Sequence, residues 1–226
     1  MEGNQQLFEH LLKADTEAEV ISILKNAGYW DDPEVWRFYG DHPENWATVG
    51  NQQSRAEQAL IEKAMNAIDT KLIAAARIAG GPIQGPDAPQ SIFMARNQLF
   101  NDQLKDIEKL SNSITIAATG QRRRPSITIA DDGEGQTPSD MPFTILSLHR
   151  GNKNSIPFVQ GKFNMGGSGV LEFCGIEHNV ELVLSKRNPK LLPTGPRHAT
   201  DSYWSFTVIR REIPALHRPA PAASHT

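Results

Sequence analysis

Residues 55–72 read RAEQALIEKAMNAIDTKL, and this stretch decides what kind of fold the chain has. Its apolar residues recur at helical spacing and predict one long amphipathic helix over about 54–78. Glu62, Asn66 and Asp69 follow one another at i, i+4 and i+7, so they share a neighbouring face of that helix. A polar stripe beside a core stripe suits the wall of a pocket, although a solvated helix face is the common alternative for such a stripe alone. The predicted core stripe consists of Ile61, Ala64, Met65, Ile68 and Leu72.

A second informative stretch is the acidic, glycine-containing turn at 131–135, DDGEG, which directly follows the strand-like segment SITIA. Glycine accepts positive φ and has no Cβ, so a backbone of this kind lets a flat ligand approach closely. A plain Asp-Gly turn between two strands is the alternative explanation for the same letters.

The third stretch is GKFNMGGSGV at 161–170, which has four glycines in its first nine residues. Glycine-rich loops present backbone N–H groups to phosphate oxygens. The run is neither a Walker A loop nor a Rossmann fingerprint, because the Gly-Lys-Ser/Thr ending and the third spaced glycine are both missing. A flexible loop without a ligand is the alternative.

In this order and spacing, the three stretches together resemble the GHKL superfamily. This superfamily includes the B subunit of DNA gyrase, the MutL repair proteins, the ninety-kilodalton heat-shock chaperones, the MORC proteins and the histidine kinases. Its N box, E-x-x-x-N-A-x-D, matches residues 62–69, and its D-x-G-x-G motif matches residues 131–135. Its lid motif, G-x-F-G-x-G, matches 161–166 with Asn164 in place of a glycine. The resemblance covers about residues 50–210 and is nearer to the first four branches than to the kinases.

The resemblance implies an ATP site that uses Mg²⁺, with a role for each matched residue. Glu62 would be the general base, Asn66 a magnesium ligand, and Asp131 the acceptor of the adenine amino group. Gly135 would lie against the base, and Asp69 would support the same end of the pocket. The other expected nucleotide contacts are Gly133 and, within a lid spanning 151–169, Lys162, Gly166, Gly167, Ser168 and Gly169, with Lys153 as a further charge partner.

The resemblance also implies an α+β fold of the Bergerat type, a two-layer sandwich with helices on one face of a mixed, mostly antiparallel sheet. The sequence pattern predicts helices over about 92–110 and 141–149. A hairpin is predicted from the alternating segments 113–119 and 126–132, with Arg122, Arg123 and Arg124 at its solvated tip. Two further strands are predicted within 177–186 and 202–211.

We divide the chain into a helical, aromatic-rich extension at 1–49, the ATP-binding domain at 50–212 and a flexible Pro/Ala-rich tail at 213–226. Two short helices are predicted in the extension, and the second begins at the capping box Thr16-x-x-Glu19 and ends at Gly28. The aromatic rings of 29–46 are predicted to pack these helices onto the main domain. A partner-binding surface is the alternative for the same rings.

Composition excludes several other classes of protein. The 226 residues carry a formal net charge of −3, which gives no reason to expect a nucleic-acid or membrane-surface binder. Cys174 is the single cysteine, so no intrachain disulfide can form and a reducing compartment fits. No stretch approaches the roughly 18 apolar residues of a spanning helix, so we expect a cytoplasmic protein.

The expected activity is hydrolysis of ATP to ADP and phosphate, with lid closure driving formation of a homodimer or control of a partner protein. One part of the family pattern is missing, because Thr207 lies in a predicted strand with no glycine before it. Either the site is divergent or the chain is the N-terminal piece of a longer protein. The alternative function is a non-hydrolysing, ATP-sensing interaction module.

Overall fold

The structure is a computed structural model, and it describes residues 2–42, 45, 54–101, 111–147, 153–161, 168–192 and 198–212. The chain begins with α1 (Glu2–Leu12) and α2 (Glu17–Asn26). The Thr16 side chain accepts a hydrogen bond from the Glu19 N–H, and the Glu19 carboxylate accepts one from the Thr16 N–H. Both predictions for α2 are therefore confirmed, since the capping box is present and Gly28 follows the helix with a φ of 78°.

The long helix is α3 (Ala56–Ile78), and it is followed by α4 (Ile92–Phe100). The prediction of α3 is confirmed, whereas the predicted continuation of α4 through 102–110 lies outside the described residues. Only the C-terminal half of α3 is packed in a core, so the predicted stripe is wrong at Ile61, which is 60% exposed. That core joins α3, α4 and the segment 156–159 through Leu72, Ile73, Ala76, Ala95, Phe100, Ile156, Phe158 and Val159.

The strands form two antiparallel hairpins. The first joins β1 (Ile114–Gln121) to β2 (Arg124–Asp131), and Arg122 and Arg123 are exposed in the connecting turn, as predicted. The second joins β3 (Glu181–Ser185) to β4 (Ser205–Ile209), with Val183 opposite Thr207. The chain is therefore a mixed helix-and-strand protein with antiparallel pairing, as predicted at that level.

Within the described part of the chain, the hairpins form two separate two-stranded sheets rather than the single mixed sheet that was expected. Residues of β2 and of β3 line the same open cavity of about 3600 Å³, and no pairing joins these two strands. The N-terminal half of α3 lines this cavity too, and an ion pair between Lys63 and Glu181 ties it to β3. The cavity is consequently enclosed by the elements on which the three sequence motifs lie.

The extension packs onto the second hairpin, as predicted for its aromatic rings. Leu11, Leu24 and Trp30 belong to a core that also includes side chains of β3 and β4. The Arg210 guanidinium lies 4.2 Å from the ring centre of Trp30 and 3.7 Å from that of Trp36. These cation–π contacts fix the end of β4 to the extension. Trp46 and the tail at 213–226 lie outside the described residues.

The prediction of a helix over 141–149 is wrong for the described residues. Only Met141–Phe143 is helical, as one 3₁₀ turn, and Thr144 has a φ of −124° and a ψ of −86°. The Thr144 hydroxyl donates to the backbone oxygen of Asp140 at 2.9 Å, a local bond that competes with helix formation. Residues 148–150 lie outside the described part. In the ranges that the structure covers, no helix is both long and apolar enough to cross a membrane.

Candidate functional site

Asp69 joins the polar stripe of α3 to the start of the glycine-rich run. Its side chain is 0% exposed. One carboxylate oxygen accepts from the Gln160 N–H at 2.9 Å and the other from the Gly161 N–H at 2.7 Å. The Lys153 ammonium lies 3.7 Å from the second oxygen. Because a buried carboxylate needs such partners, Asp69 holds 160–161 against the helix.

Gly161 is a glycine because α3 leaves no room for a side chain. A Cβ at this position would lie 2.6 Å from the Asn66 Oδ1 atom and 3.1 Å from an oxygen of Asp69. The first residue of the glycine-rich run therefore lies directly against two residues of the predicted stripe. This proximity of residues 66, 69 and 161 is what the sequence motifs predict if they belong to one site.

Lys153 supplies a positive charge beside the same residues. Its ammonium donates to the Asn66 Oδ1 atom at 3.5 Å, in addition to its ion pair with Asp69. The Asn66 amide oxygen thus already faces a cation. Among the described residues, no three His, Cys, Asp or Glu side chains converge as a metal cluster. A metal at Asn66 would therefore need ligands from a bound molecule or water, as Mg²⁺ commonly does.

Glu62 occupies the other end of the stripe and differs sharply from Asp69. Its Oε2 atom is buried and has no hydrogen-bond partner among the described residues, and the residue lines the cavity. A buried polar atom without a partner costs about 1–3 kcal/mol. Such an atom at a cavity wall is placed to receive a hydrogen bond from water or from a ligand.

The turn at 131–135 is attached to α3 one residue beyond Asp69. The Glu134 N–H donates to the Thr70 hydroxyl at 3.1 Å. A Cβ on Gly133 would lie 2.6 Å from a methyl carbon of Thr70, so this position also requires glycine. Two of the three motifs, distant in sequence by more than sixty residues, consequently meet on one turn of α3.

Asp131 ends β2 and faces the cavity, which is open to solvent and leaves the residue accessible. Its carboxylate accepts from the Gly133 N–H at 3.0 Å, a bond within the turn that fixes its direction. Although the residue is exposed to the cavity, the surrounding protein partly desolvates its carboxyl group and raises the pKa of Asp131 above its ordinary value, and the neighbouring charge of Asp132 adds to this. The Gly133 N–H and the ammonium groups of Lys153 and Lys71 oppose the increase.

Gly135 lies against β3. Its φ is +58°, and a Cβ there would lie 1.8 Å from the Lys186 backbone oxygen, so no other residue fits. Arg187 and Asn188, which follow β3, bond to the carbonyls of the turn. Sequence reasoning missed both residues. The available signal was a basic and amide pair at the end of a predicted strand, which does not by itself identify what it contacts.

Five of the predicted site residues belong to the glycine-rich run, and the structure describes only some of them. Ser168 and Gly169 are buried at the end of the glycine-rich run, whereas Lys162, Gly166 and Gly167 lie outside the described residues. Thr207 lies in the middle of β4, opposite Val183, and does not reach the turn at 131–135 through any hydrogen bond of the described residues. The strand hydroxyl beside that turn belongs to Ser185 of β3, which accepts from the Gln136 N–H at 3.0 Å.

Comparisons of the chain with protein-family models, with curated proteins and with solved structures find no match. The function must therefore be argued from the residues and from the geometry of this cavity.

Proposed function

We propose that this chain binds ATP with Mg²⁺ in the cavity beside α3 and hydrolyses it to ADP and phosphate. The observation that carries the proposal is the convergence of three distant segments on one stretch of α3. Gly161 lies against Asn66 and Asp69, and the turn of Asp131 is bonded to Thr70. Three motifs that merely resembled a nucleotide-binding pattern by chance would have no reason to meet on neighbouring turns of one helix. The proposal includes a Bergerat-type two-layer sandwich as the fold.

In this proposal, the turn at 131–135 recognises the base. A carboxylate accepts hydrogen bonds only, so Asp131 suits the amino group of adenine and opposes the carbonyl oxygen that guanine presents at the same position. The bond from the Gly133 N–H orients the carboxylate before a ligand arrives. Such preorganisation reduces the ordering cost of binding.

The phosphate end would lie near Asn66 and Lys153. Asn66 would contribute its amide oxygen to Mg²⁺, and the ion would neutralise phosphate charge when bound. Lys153 already reaches Asn66 and can pair with phosphate oxygens without a large movement of its ammonium group. The backbone N–H groups of the glycine-rich run, at 166–169, would complete the phosphate contacts.

Glu62 is the proposed general base. Its buried Oε2 atom lacks a partner among the described residues and can accept a proton from an attacking water. Closure of the lid over 151–169 would exclude bulk water and favour a homodimer or a partner protein. This scheme is compatible with the predicted cytoplasmic location.

A second candidate is an ATP-sensing module that binds but does not hydrolyse the nucleotide. One observation favours it: Thr207 lies in mid-strand, away from the turn, so the threonine of the family pattern has no counterpart at the expected place. Measurement of phosphate release in the presence of ATP and Mg²⁺ separates the two candidates. Binding without release would favour the sensing module.

The proposed site is tested by calorimetric titration of ATP, with Mg²⁺, into the intact chain and into D131N. Loss of a charged hydrogen-bond acceptor should weaken binding about tenfold or more. The matched control is D87N, because Asp87 is an exposed aspartate in the loop before α4, away from the turn at 131–135. We expect less than about a twofold change there. Absence of ATP binding by the intact chain, or equal affinity of D131N, would overturn the proposal.

A further inference from the structure

Each backbone carbonyl of residues 133–135 accepts a hydrogen bond from Arg187 or Asn188, which lie two and three residues beyond the end of β3. The Asn188 side-chain amide donates to the Gly133 oxygen at 3.1 Å, and the Asn188 N–H donates to the Glu134 oxygen at 2.8 Å. The Arg187 guanidinium donates to the Gly135 oxygen at 3.0 Å. Three consecutive carbonyls are thereby bonded to one short segment, which is here called the clamp (Arg187 and Asn188).

Charge reinforces the clamp through the central residue of the turn. The Glu134 carboxylate forms ion pairs with Arg77, at 3.0 Å, and with Arg187, at 3.7 Å. Arg77 is in the last turn of α3, so Glu134 connects the turn to the helix as well as to the segment after β3. Only 18% of the Glu134 and Arg187 side chains is exposed, so solvent screens this pair less than a surface pair.

The position of Asn188 requires a side chain that both donates and accepts a hydrogen bond. Its side-chain oxygen accepts from the Lys190 N–H at 3.1 Å and caps the 3₁₀ turn Pro189–Leu191. The amide nitrogen is therefore directed to Gly133, and the hydrogen-bond network fixes which way the group points. An aspartate could replace the cap but could not donate to the Gly133 carbonyl.

We infer that Arg187 and Asn188 are positioning residues that set the base selectivity of the proposed nucleotide site. Among the described residues, no hydrogen bond joins them to Asn66 or Lys153, the two residues at the phosphate end. They fix the backbone whose Gly133 N–H orients the Asp131 carboxylate. The inference rests on the proposed function, and it assigns adenine selectivity to the end of β3 as well as to the DDGEG turn.

The test compares the binding of ATP, GTP and inorganic tripolyphosphate to the intact chain and to N188D. This substitution keeps the backbone N–H and the cap, and it places a carboxylate oxygen against the Gly133 carbonyl. We expect ATP affinity to fall about tenfold and the preference for ATP over GTP to fall with it, because a hydrogen bond is replaced by a repulsion. Tripolyphosphate contacts only the phosphate end, so its affinity should stay within about twofold.

Two substitutions of Arg187 keep the inference testable if N188D does not fold. Arg187→Lys keeps a charged donor for Gly135 and should retain most of the selectivity, whereas Arg187→Met should lose it. Asn26→Asp is the matched control, since Asn26 is exposed at the end of α2, and it should leave all three affinities unchanged.

The outcomes separate this inference from the proposed function. If the intact chain binds no ATP, the proposed function fails. If it prefers ATP and N188D keeps the same preference, the clamp alone is overturned. Equal weakening of ATP, GTP and tripolyphosphate would also overturn it, because that result would mean a general structural role.

Discussion

The two ends of the polar stripe on α3 carry the same chemical group in opposite states. At one end, both oxygens of the Asp69 carboxylate are bonded to backbone N–H groups and the side chain has no exposed surface. At the other end, two helical turns away, the Glu62 carboxylate has a buried oxygen without a partner among the described residues. A saturated carboxylate can only hold structure, whereas an unsaturated one is available to a ligand.

The difference shows how a single motif combines two tasks. Burial of a polar atom without a partner is unfavourable, so a group that donates a hydrogen bond to the Glu62 Oε2 atom would recover free energy. The contacts of Asp69 offset the unfavourable burial at Glu62, because they fix the segment 160–161 and the ammonium of Lys153 in place. The contrast predicts that the two carboxylates respond to substitution in different measurements.

The largest effect is expected from Asp69→Ala. The substitution removes a fully buried carboxylate that is the acceptor for the Gln160 and Gly161 N–H groups and the Lys153 ammonium, which should lower the free energy of unfolding by about 3–5 kcal/mol. Urea denaturation followed by circular dichroism measures this change. Asp87→Ala, at an exposed aspartate in the loop before α4, is the control and should change little. A loss below about 1 kcal/mol would mean that the Asp69 end does not hold the structure.

Glu62→Ala should affect activity and spare stability. Loss of a general base typically lowers turnover by about 10²–10⁴-fold, while ATP affinity and the urea midpoint should not fall, because Oε2 has no hydrogen bond to lose. Phosphate release and calorimetry measure the two quantities on the same preparation. Glu57→Ala, at the exposed start of α3, is the control. Unchanged hydrolysis in Glu62→Ala would remove Glu62 from the reaction.

The smallest effect is expected from Glu17→Gln, which tests a carboxylate that accepts several hydrogen bonds although it is only partly buried. The Glu17 carboxylate also accepts backbone N–H groups, those of Ile176, Glu177 and His178, but it keeps partial exposure. Burial opposes ionisation, yet these bonds hold the pKa of Glu17 below the ordinary value of 4.5. A lowered carboxyl pKa contributes stability above the unfolded pKa, and this contribution is lost as pH falls through the folded pKa.

The difference in urea midpoint between the intact chain and Glu17→Gln should therefore be largest near pH 6–7 and shrink below about pH 4.5. Glu9→Gln is the control, because Glu9 is exposed and accepts a hydrogen bond from the nearby Gln5 side chain within α1. A difference independent of pH would show that the charge of Glu17 contributes nothing.

Local sequence signals predicted local structure well. The capping box at Thr16, the extent of α3 and the turn of the first hairpin depend on residues within a few positions of one another, and all three are confirmed. The prediction of a helix at 141–149 is wrong for the described residues. Periodicity does not reveal that the Thr144 hydroxyl bonds to the nearby backbone, which competes with the helix. The expected single sheet is not confirmed, since the described strands form two separate pairs and strand pairing between distant segments is a long-range property.

The candidate site was predicted in its motif residues and missed in its supporting ones. Glu62, Asn66, Asp69 and Asp131 were identified from their motifs and the family resemblance that these carry, and their roles stay predictions. The residues that support these motifs belong to no recognisable motif, and only their contacts in the structure reveal a role. They are Thr70, Lys153, Ser185, Arg187 and Asn188. Lys153 was considered only as a charge within the lid, and its bond to Asn66 could not be anticipated.

The sequence by itself determined which residues share a face of α3 and where the glycines of the motifs stand, because helical spacing is local and residue types are read directly. Only the tertiary structure decided why those glycines are needed and what each carboxylate does. Gly133, Gly135 and Gly161 leave room for Thr70, for the backbone of Lys186 and for Asn66, contacts that cross the chain. Whether a carboxylate is saturated or left with a free oxygen depends on N–H groups brought to it by folding, and no spacing rule encodes that.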